Sequence, residues 1–308
     1  MGVFGTGLYS GDFAMDLRST VSAVCRLPLS PDRLLAILEE ADPSAASNPG
    51  DEDHTVFWLV VADQFQRRGI DVPRARGRAL DVIDQGLDSD MHRRLGMSER
   101  DLRTRLAKLQ KLRAALRAPV VPRPRATLKE PQPFVLEIEG LYTYPVAGTR
   151  PINPYFGDRT KQPRRRPDGS VLDAWPQDGW GAALIVDRGR AFEYLAWYRA
   201  LVITAPLEAM PTLSSVTAST AAWRLGSPGT CSAVHSRRIE LGRLGRIRLD
   251  PVRARARLGT MKPGIYQAVH DISIVGQLAT VGAGLNKRVV TVERLDEIGT
   301  IEEAGTGP

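Results

Sequence analysis

The sequence predicts an α+β protein: an N-terminal helical domain followed by a mainly antiparallel, β-rich domain. Three observations carry this. Apolar residues over 12–117 recur every three or four positions, the period of a helix face, whereas after residue 133 they fall in short runs broken by turn residues. Between these parts lies Ala118-Pro-Val-Val-Pro-Arg-Pro-Arg-Ala-Thr-Leu-Lys-Glu-Pro-Gln-Pro133, whose prolines forbid a helix and favour an extended spacer. Charge also divides along the chain. Residues 1–90 hold 15 acidic and 8 basic side chains, a balance of −7, and the remainder holds 20 and 34, a balance of +14. The expected organisation is a helical domain at 1–117, a linker at 118–133, a β-rich domain at 134–298 and a flexible tail at 299–308.

In the first domain, Phe13, Met15, Leu17, Val21 and Val24 fit one helix face beginning at Asp12. Pro28 and Pro31 end that helix, and Pro31 opens the next from its first turn. The acidic stretch 41–53, rich in Pro and Ser, predicts an exposed loop. His54-Thr-Val-Phe-Trp-Leu-Val-Val-Ala-Asp-Gln-Phe-Gln66 is apolar nearly all round at its start, as a buried helix requires. A shorter helix is expected from Pro73. Ser98-Glu-Arg-Asp101 reads as a capping box, followed by Leu102, Leu106, Leu109, Leu112 and Leu116 along one side. Arg103, Arg105, Lys108, Lys111, Arg113 and Arg117 are expected on the solvated side. A basic helix lying on nucleic acid or an acidic partner is the alternative.

In the second domain, Phe134–Tyr144 predicts one strand, or two with a bend at Gly140. Gly181–Val186 and Ala191–Ile203 predict a hairpin turning at Asp187-Arg-Gly-Arg190. Ile239–Leu249 suggests a further hairpin, and Tyr266–Ile274 and Arg288–Arg294 further strands. A mainly antiparallel sheet or small barrel with a few short helices follows.

Composition narrows the function classes. With 308 residues, 43% apolar and 25% charged, the chain can bury a sizeable core. No apolar run reaches the ~18 residues a membrane span needs, and early Asp12 and Asp16 do not fit a secretory signal, so a cytoplasmic protein is expected. Cys25 and Cys231 form no disulfide framework and are expected as buried thiols. Only six of the 42 basic residues are lysine. That bias can come from a GC-rich coding sequence, which weakens any inference from charge to nucleic acid.

Candidate chemistry is sparse. The opening Met1-Gly-Val-Phe-Gly-Thr6 satisfies the myristoylation pattern, but no polybasic patch follows. Gly5, Gly7 and Gly11 lack the dinucleotide spacing, and Asp12 and Asp16 would repel phosphate. The glycines are therefore expected to make terminal turns, with Phe4, Leu8 and Tyr9 packing inward. Cys231 and His235, with His270 or Asp271, could form a nucleophile–base pair or a partial metal site. No nucleophile motif surrounds Cys231, so a buried thiol beside a hydrogen-bonded imidazole is expected, with neither metal nor cofactor. His54 and His92 stand alone and are expected at the surface or as caps. Trp175 and Trp180, near Tyr155 and Arg164, Arg165 and Arg166, combine aromatics with arginine as interface hot spots do. Core packing of both tryptophans is the competing expectation.

The opening residues Gly2, Gly5, Gly7, Asp12, Ala14 and Asp16, with Phe57-Trp58 and Ala62-Asp63, resemble the domain of unknown function 4259 family of bacterial proteins. Phe4 stands where that family usually has tryptophan. Gly140-Leu-Tyr-Thr-Tyr-Pro-Val146 and Gly179–Asp187 resemble, more faintly, the immunity protein 26 family of polymorphic toxin systems. Neither resemblance brings catalytic residues. The likeness and the lack of a catalytic constellation together point to a protein that binds another protein, such as a toxin or effector, by occlusion. The aromatic and arginine pattern around Tyr155, Trp175, Trp180 and Arg164–Arg166 is the expected surface. The alternatives are a hydrolase or transferase using Cys231 and His235, and a nucleic-acid-binding accessory protein.

Overall fold

The computed structural model describes residues 5–147, 150–151, 177, 179–260, 264–265, 269 and 290–302. The fold is α+β, and the chain divides into two compact units, residues 1–130 and 131–308.

Among the described residues the first unit holds seven helices: α1 (Asp12–Val24), α2 (Pro31–Ala41), α3 (Pro43–Ser47), α4 (His54–Arg68), α5 (Pro73–Asp84), α6 (Leu87–Arg94) and α7 (Glu99–Arg117). Their starts follow local chemistry. Ser30 Oγ accepts from the Arg33 N–H and Pro31 occupies the first turn of α2, where its missing donor costs nothing. Ser98 Oγ accepts from the Asp101 N–H at 3.2 Å, but the Asp101 carboxylate answers the Ser98 hydroxyl, not its backbone N–H. Half of the expected capping box is therefore present. Helix α4 is the centre. Phe57, Trp58, Leu59, Val60, Val61, Ala62 and Phe65 are all buried, and α1, α3, α5, α6 and α7 pack around it. It ends at Gly69, whose φ of +67° suits glycine. A Cβ there would lie 2.5 Å from Arg123 N and Val121 O, so a side chain is excluded on two counts.

The proline-rich stretch is extended, as its composition requires, but it is not a loose spacer. Arg123 donates to Arg67 O (3.2 Å), Arg125 to Leu29 O (2.7 Å), and the Leu128 N–H to Arg26 O (2.8 Å). On the far side, the Gln132 N–H donates to Tyr194 O (2.8 Å), and Gln132 Oε1 accepts from Ala196 N (3.0 Å).

Five expectations for the first unit need correction. Met15, expected on the apolar face of α1, is 49% exposed, while Ala14 and Thr20 are buried there. The loop at 41–53 contains α3, whose Ala45 and Ala46 are buried. His54 is buried and its Nδ1 bonds Ala45 O at 2.7 Å. His92 is buried on α6, a helix with no strong apolar period to reveal it. Arg105 is buried among Leu102, Leu109, Leu112 and Leu116, whereas Leu106 is exposed.

The second unit is built on an antiparallel sheet. Its strands are β1 (Gly140–Ala147), β2 (Arg150–Pro151), β3 (Gly179–Ala191), β4 (Leu195–Ile203), β5 (Trp223–Leu225), β6 (Gly242–Leu249), β7 (Thr291–Val292) and β8 (Gly299–Glu302). The order across the sheet is β7-β5-β4-β3-β1-β6-β8, with β2 paired to β1. Three short helices, α8 (Leu213–Ala218), α9 (Ala233–Arg238) and α10 (Pro251–Leu258), accompany it. Both faces of the central strands are apolar, and each supports its own core. One face carries Tyr144, Ile185, Tyr198 and Val202 under Leu136, Cys231 and Ile239. The other carries Leu184, Leu201, Ile203 and Trp223 under Val216, Leu258 and Leu295.

The β3–β4 hairpin turns later than expected. Pairing continues through Gly189↔Trp197 to Ala191↔Leu195, and the turn is Phe192–Tyr194, with positive φ at Phe192 and Glu193. Gly189 stands instead beneath the Trp197 ring, where a Cβ would meet ring carbon at 2.8 Å. Residues 134–139 are not strand, and β1 starts at Gly140. Residues 239–249 supply one strand, β6, which pairs with β1 and β8 and not with itself. Of the strand expected over 266–274 only Val269 is described, as a turn. The flexible tail expected from residue 299 begins instead with β8, which pairs with β6; residues 303–308 lie outside the described residues.

Candidate functional site

Of the residues singled out in the sequence, Tyr155, Arg164, Arg165, Arg166, Trp175, His270 and Asp271 lie outside the described residues. Trp180 is half-buried at the start of β3, and its backbone exchanges two hydrogen bonds with Leu207, each 2.8 Å. That pairing fixes it as part of the sheet.

Cys231 and His235 belong to the second unit's interior. Cys231 is 4% exposed and His235 2%. The Cys231 thiol points at Ser232 O, 3.8 Å away, and the Ser232 hydroxyl caps α9 by accepting from the His235 N–H at 3.0 Å. The four-residue spacing arises because Cys231 enters the helix and His235 sits in it. Ile239 and Tyr198 share the Cys231 core. A nucleophile–base pair needs a reacting atom within reach of both groups. This pair is packed as core, and Tyr198 spends its hydroxyl oxygen on the Val135 N–H (2.7 Å).

The exposed chemistry of this unit is arginine. From Ala233 to Leu258 the chain carries eight arginines against Glu240 and Asp250, with no aromatic residue. Arg237, Arg243, Arg246, Arg248, Arg253, Arg255 and Arg257 are exposed. Arg243 pairs with Glu137 (2.9 Å) and Arg246 with Glu139. Arg253 pairs with Asp250 (3.1 Å), whose carboxylate also caps α10 and is held below its ordinary range by those bonds. Arg255 has no ion pair among the described residues, and Arg237 bonds only the Ala233 carbonyl of its own helix. Val252, 78% exposed, lies among these charges.

The first unit holds a second constellation, around the N-terminal glycines. Arg105 grips both oxygens of Asp88, Nε at 2.6 Å and Nη2 at 2.8 Å, while Nη1 donates to Gly7 O at 3.0 Å. The Gly7 N–H donates to Ser10 Oγ (2.9 Å), and Lys108 reaches Thr6 Oγ1 (2.8 Å). Tyr9 donates its hydroxyl to Asp63, which also accepts from Arg67. Burial and the Asp63 hydrogen bond push the Tyr9 phenol up to about 12. The glycine turns are thus pinned by α4 and α7, and Tyr9 meets Asp63 of the Phe57-Trp58…Ala62-Asp63 stretch directly.

Beside this loop is a small cleft of about 50 Å³ between the starts of α1 and α4, lined also by His92, Leu95 and Arg105. No protein-family model, curated protein or solved structure matches the chain significantly. Its chemistry must therefore be read from the residues themselves. Asp53 is pushed up to about 6, first by burial and then by Glu52, Asp51 and Asp42. Its carboxyl titrates near 3.8 in the unfolded chain. Between those values the folded state holds the extra proton, so this group costs stability increasingly as pH rises through the window. Asp53→Asn should therefore stabilise the protein at pH 7.5 by about 1–2 kcal/mol after allowance for partial exposure, and the gain should vanish near pH 4. Thermal melts of both proteins across that range check it; a gain that persists at pH 4 would contradict the assigned cause. His92 moves oppositely: burial and Arg105 hold its imidazole below the ordinary range, so it is neutral at pH 7.

Within the described residues, no group of three His, Cys, Asp or Glu side chains is arranged to hold a metal, and no helix is long and apolar enough to cross a membrane.

Proposed function

We propose that the protein works by binding another protein, and that the arginine-rich segment from α9 through β6 to α10 is the surface that receives an acidic partner. The carrying observation is the exposure of seven arginines there, with Arg237 and Arg255 lacking ion pairs among the described residues. Arginine presents five donors in a fork that matches carboxylates, and Val252 adds apolar contact at low desolvation cost. The family resemblance gives this a specific form: a cytoplasmic immunity-type factor that occludes a toxin or effector. Catalysis through Cys231 and His235 is the weaker reading, because both are buried in the core.

Nucleic acid would also answer to arginine. However, single-strand binders interleave aromatic stacking platforms with basic residues, and this segment contains none. The test is affinity purification of the full chain and an Arg237→Glu/Arg255→Glu variant from its native cells. Both substitutions are exposed and break no ion pair among the described residues, so folding should be unchanged by circular dichroism. A protein of acidic sequence retained by the wild type, resistant to nuclease and reduced at least tenfold by the variant is the expected result. Equal recovery by both proteins would overturn the proposal, and recovery abolished by nuclease would replace it with the nucleic-acid reading.

A further inference from the structure

We infer that the cleft between α1 and α4 is a binding site for a primary alkylammonium group, carried either by a small amine or by a lysine side chain. The inference is independent of the arginine segment, which belongs to the other unit.

The first observation is an imidazole buried without use. His92 is 3% exposed and lines the cleft, and neither ring nitrogen has a hydrogen-bond partner among the described residues. Its nearest carboxylate, Asp88 Oδ1, stands 3.8 Å from Nε2, beyond hydrogen-bond distance. A buried polar group left unmade costs about 1–3 kcal/mol, which a donor entering the cleft would recover. The neutral ring offers a lone pair, and an ammonium offers three donors.

Charge then selects the ligand. Arg105 is the cationic side chain lining the cleft, and it is spent: Asp88 takes two of its nitrogens and Gly7 O the third. Asp12, Glu52 and Asp53 also line the cleft, and no ion pair compensates them among the described residues. The starts of α1 and α4 contribute about +0.5 charge each, well short of three carboxylates. An anion is therefore repelled and a cation drawn in. The elevation of Asp53 toward 6 reports the same crowding of negative charge.

Size and lining fix the rest. About 50 Å³ admits a head group of a few heavy atoms. Phe13, Val56 and Leu95 supply apolar wall for the carbon chain behind the charge. Protonation works against the ligand from both sides. His92, facing Arg105 and Asp88, becomes cationic as pH falls, while Asp53, facing Glu52, Asp51 and Asp42 with the chain's terminal ammonium opposing them, becomes neutral. Affinity should fall steeply below about pH 6.

The experiment titrates the full-length protein with n-butylammonium chloride and follows the His92 ring resonances by NMR. A saturable shift is expected at pH 7.5, absent with butanol and with butyrate, and weakened at least tenfold at pH 5. Asp53→Asn, which is expected to fold at least as stably as the wild type, should weaken binding about tenfold. A Gly-Lys-Gly peptide blocked by N-acetylation and C-amidation, whose only ammonium is the lysine side chain, distinguishes the sources. Tighter binding than butylammonium assigns a partner's lysine, and weaker binding assigns a free amine. Absence of a saturable shift with either probe, equal binding of butyrate, or unchanged affinity in Asp53→Asn would overturn the inference.

Discussion

Arg105→Ala should cost about 3–5 kcal/mol, the largest loss expected from any single change in the first unit. Asp88, 1% exposed, would be left in the interior with neither guanidinium bond. The Gly7 carbonyl would lose its donor at the same time, releasing the glycine turns. The size of the loss comes from the stranded carboxylate and not from the net worth of the pair, because both charges already pay for desolvation in the wild type. Removing the two together, as Arg105→Met/Asp88→Leu, should therefore recover most of the stability. Denaturant melts of the full chain, with hydrogen exchange on α4, α6 and α7 to localise the change, make the cycle measurable. If Arg105→Ala and the double variant lose equal stability, the coupling between the two side chains is absent and the reading is wrong.

Trp223→Ala should have a comparable effect in the second unit, about 3–5 kcal/mol. Trp223 is 1% exposed and sits on a strand of only three residues, β5. Its backbone pairs with Ile203 on β4 and Val292 on β7, so the short strand joins the edge of the sheet to its centre. Three residues supply too few ladder bonds to hold such a strand alone, and the indole supplies the missing burial. Truncation leaves a cavity among Leu201, Ile203 and Val292 that a rigid sheet cannot close. Trp223→Phe should lose substantially less. Exchange protection should fall in β5 and β7 while α4 keeps its own; equal loss in both units would contradict the assignment.

The large divisions of this fold could be read from the residues. Helices α1, α2, α4, α5 and α7 differ from the strands in apolar period, and the proline-rich stretch separates the two patterns, whereas α3 and α6 gave no such signal. What escaped were places where one residue serves two purposes. Gly189 looked like a turn because glycine is common there, but its missing side chain makes room for Trp197. Arg105 looked solvated because arginine usually is. Its position was legible nonetheless: 102, 105, 109, 112 and 116 step by three and four, so Arg105 fits the buried row that Leu106 was assigned to. His92 left no such trace, since α6 is largely charged and its burial depends on α4 and α7. The cleft was hidden for the same reason. It is assembled from residues near positions 11, 53, 92 and 105, and no local spacing joins them.

The strap formed by the proline-rich stretch bears on where this chain can be divided. A cut at Arg117, where the last helix ends, would discard the bonds from Arg123, Arg125 and Leu128 that close over the ends of α1 and α4. Gly69 would then face water in place of backbone. Gln132, by contrast, is already committed to the β3–β4 hairpin. Only Lys129, Glu130 and Pro131 lie between the two sets of attachments, so the natural seam is three residues wide. A fragment that is to keep the helical unit intact should carry its strap with it and end there.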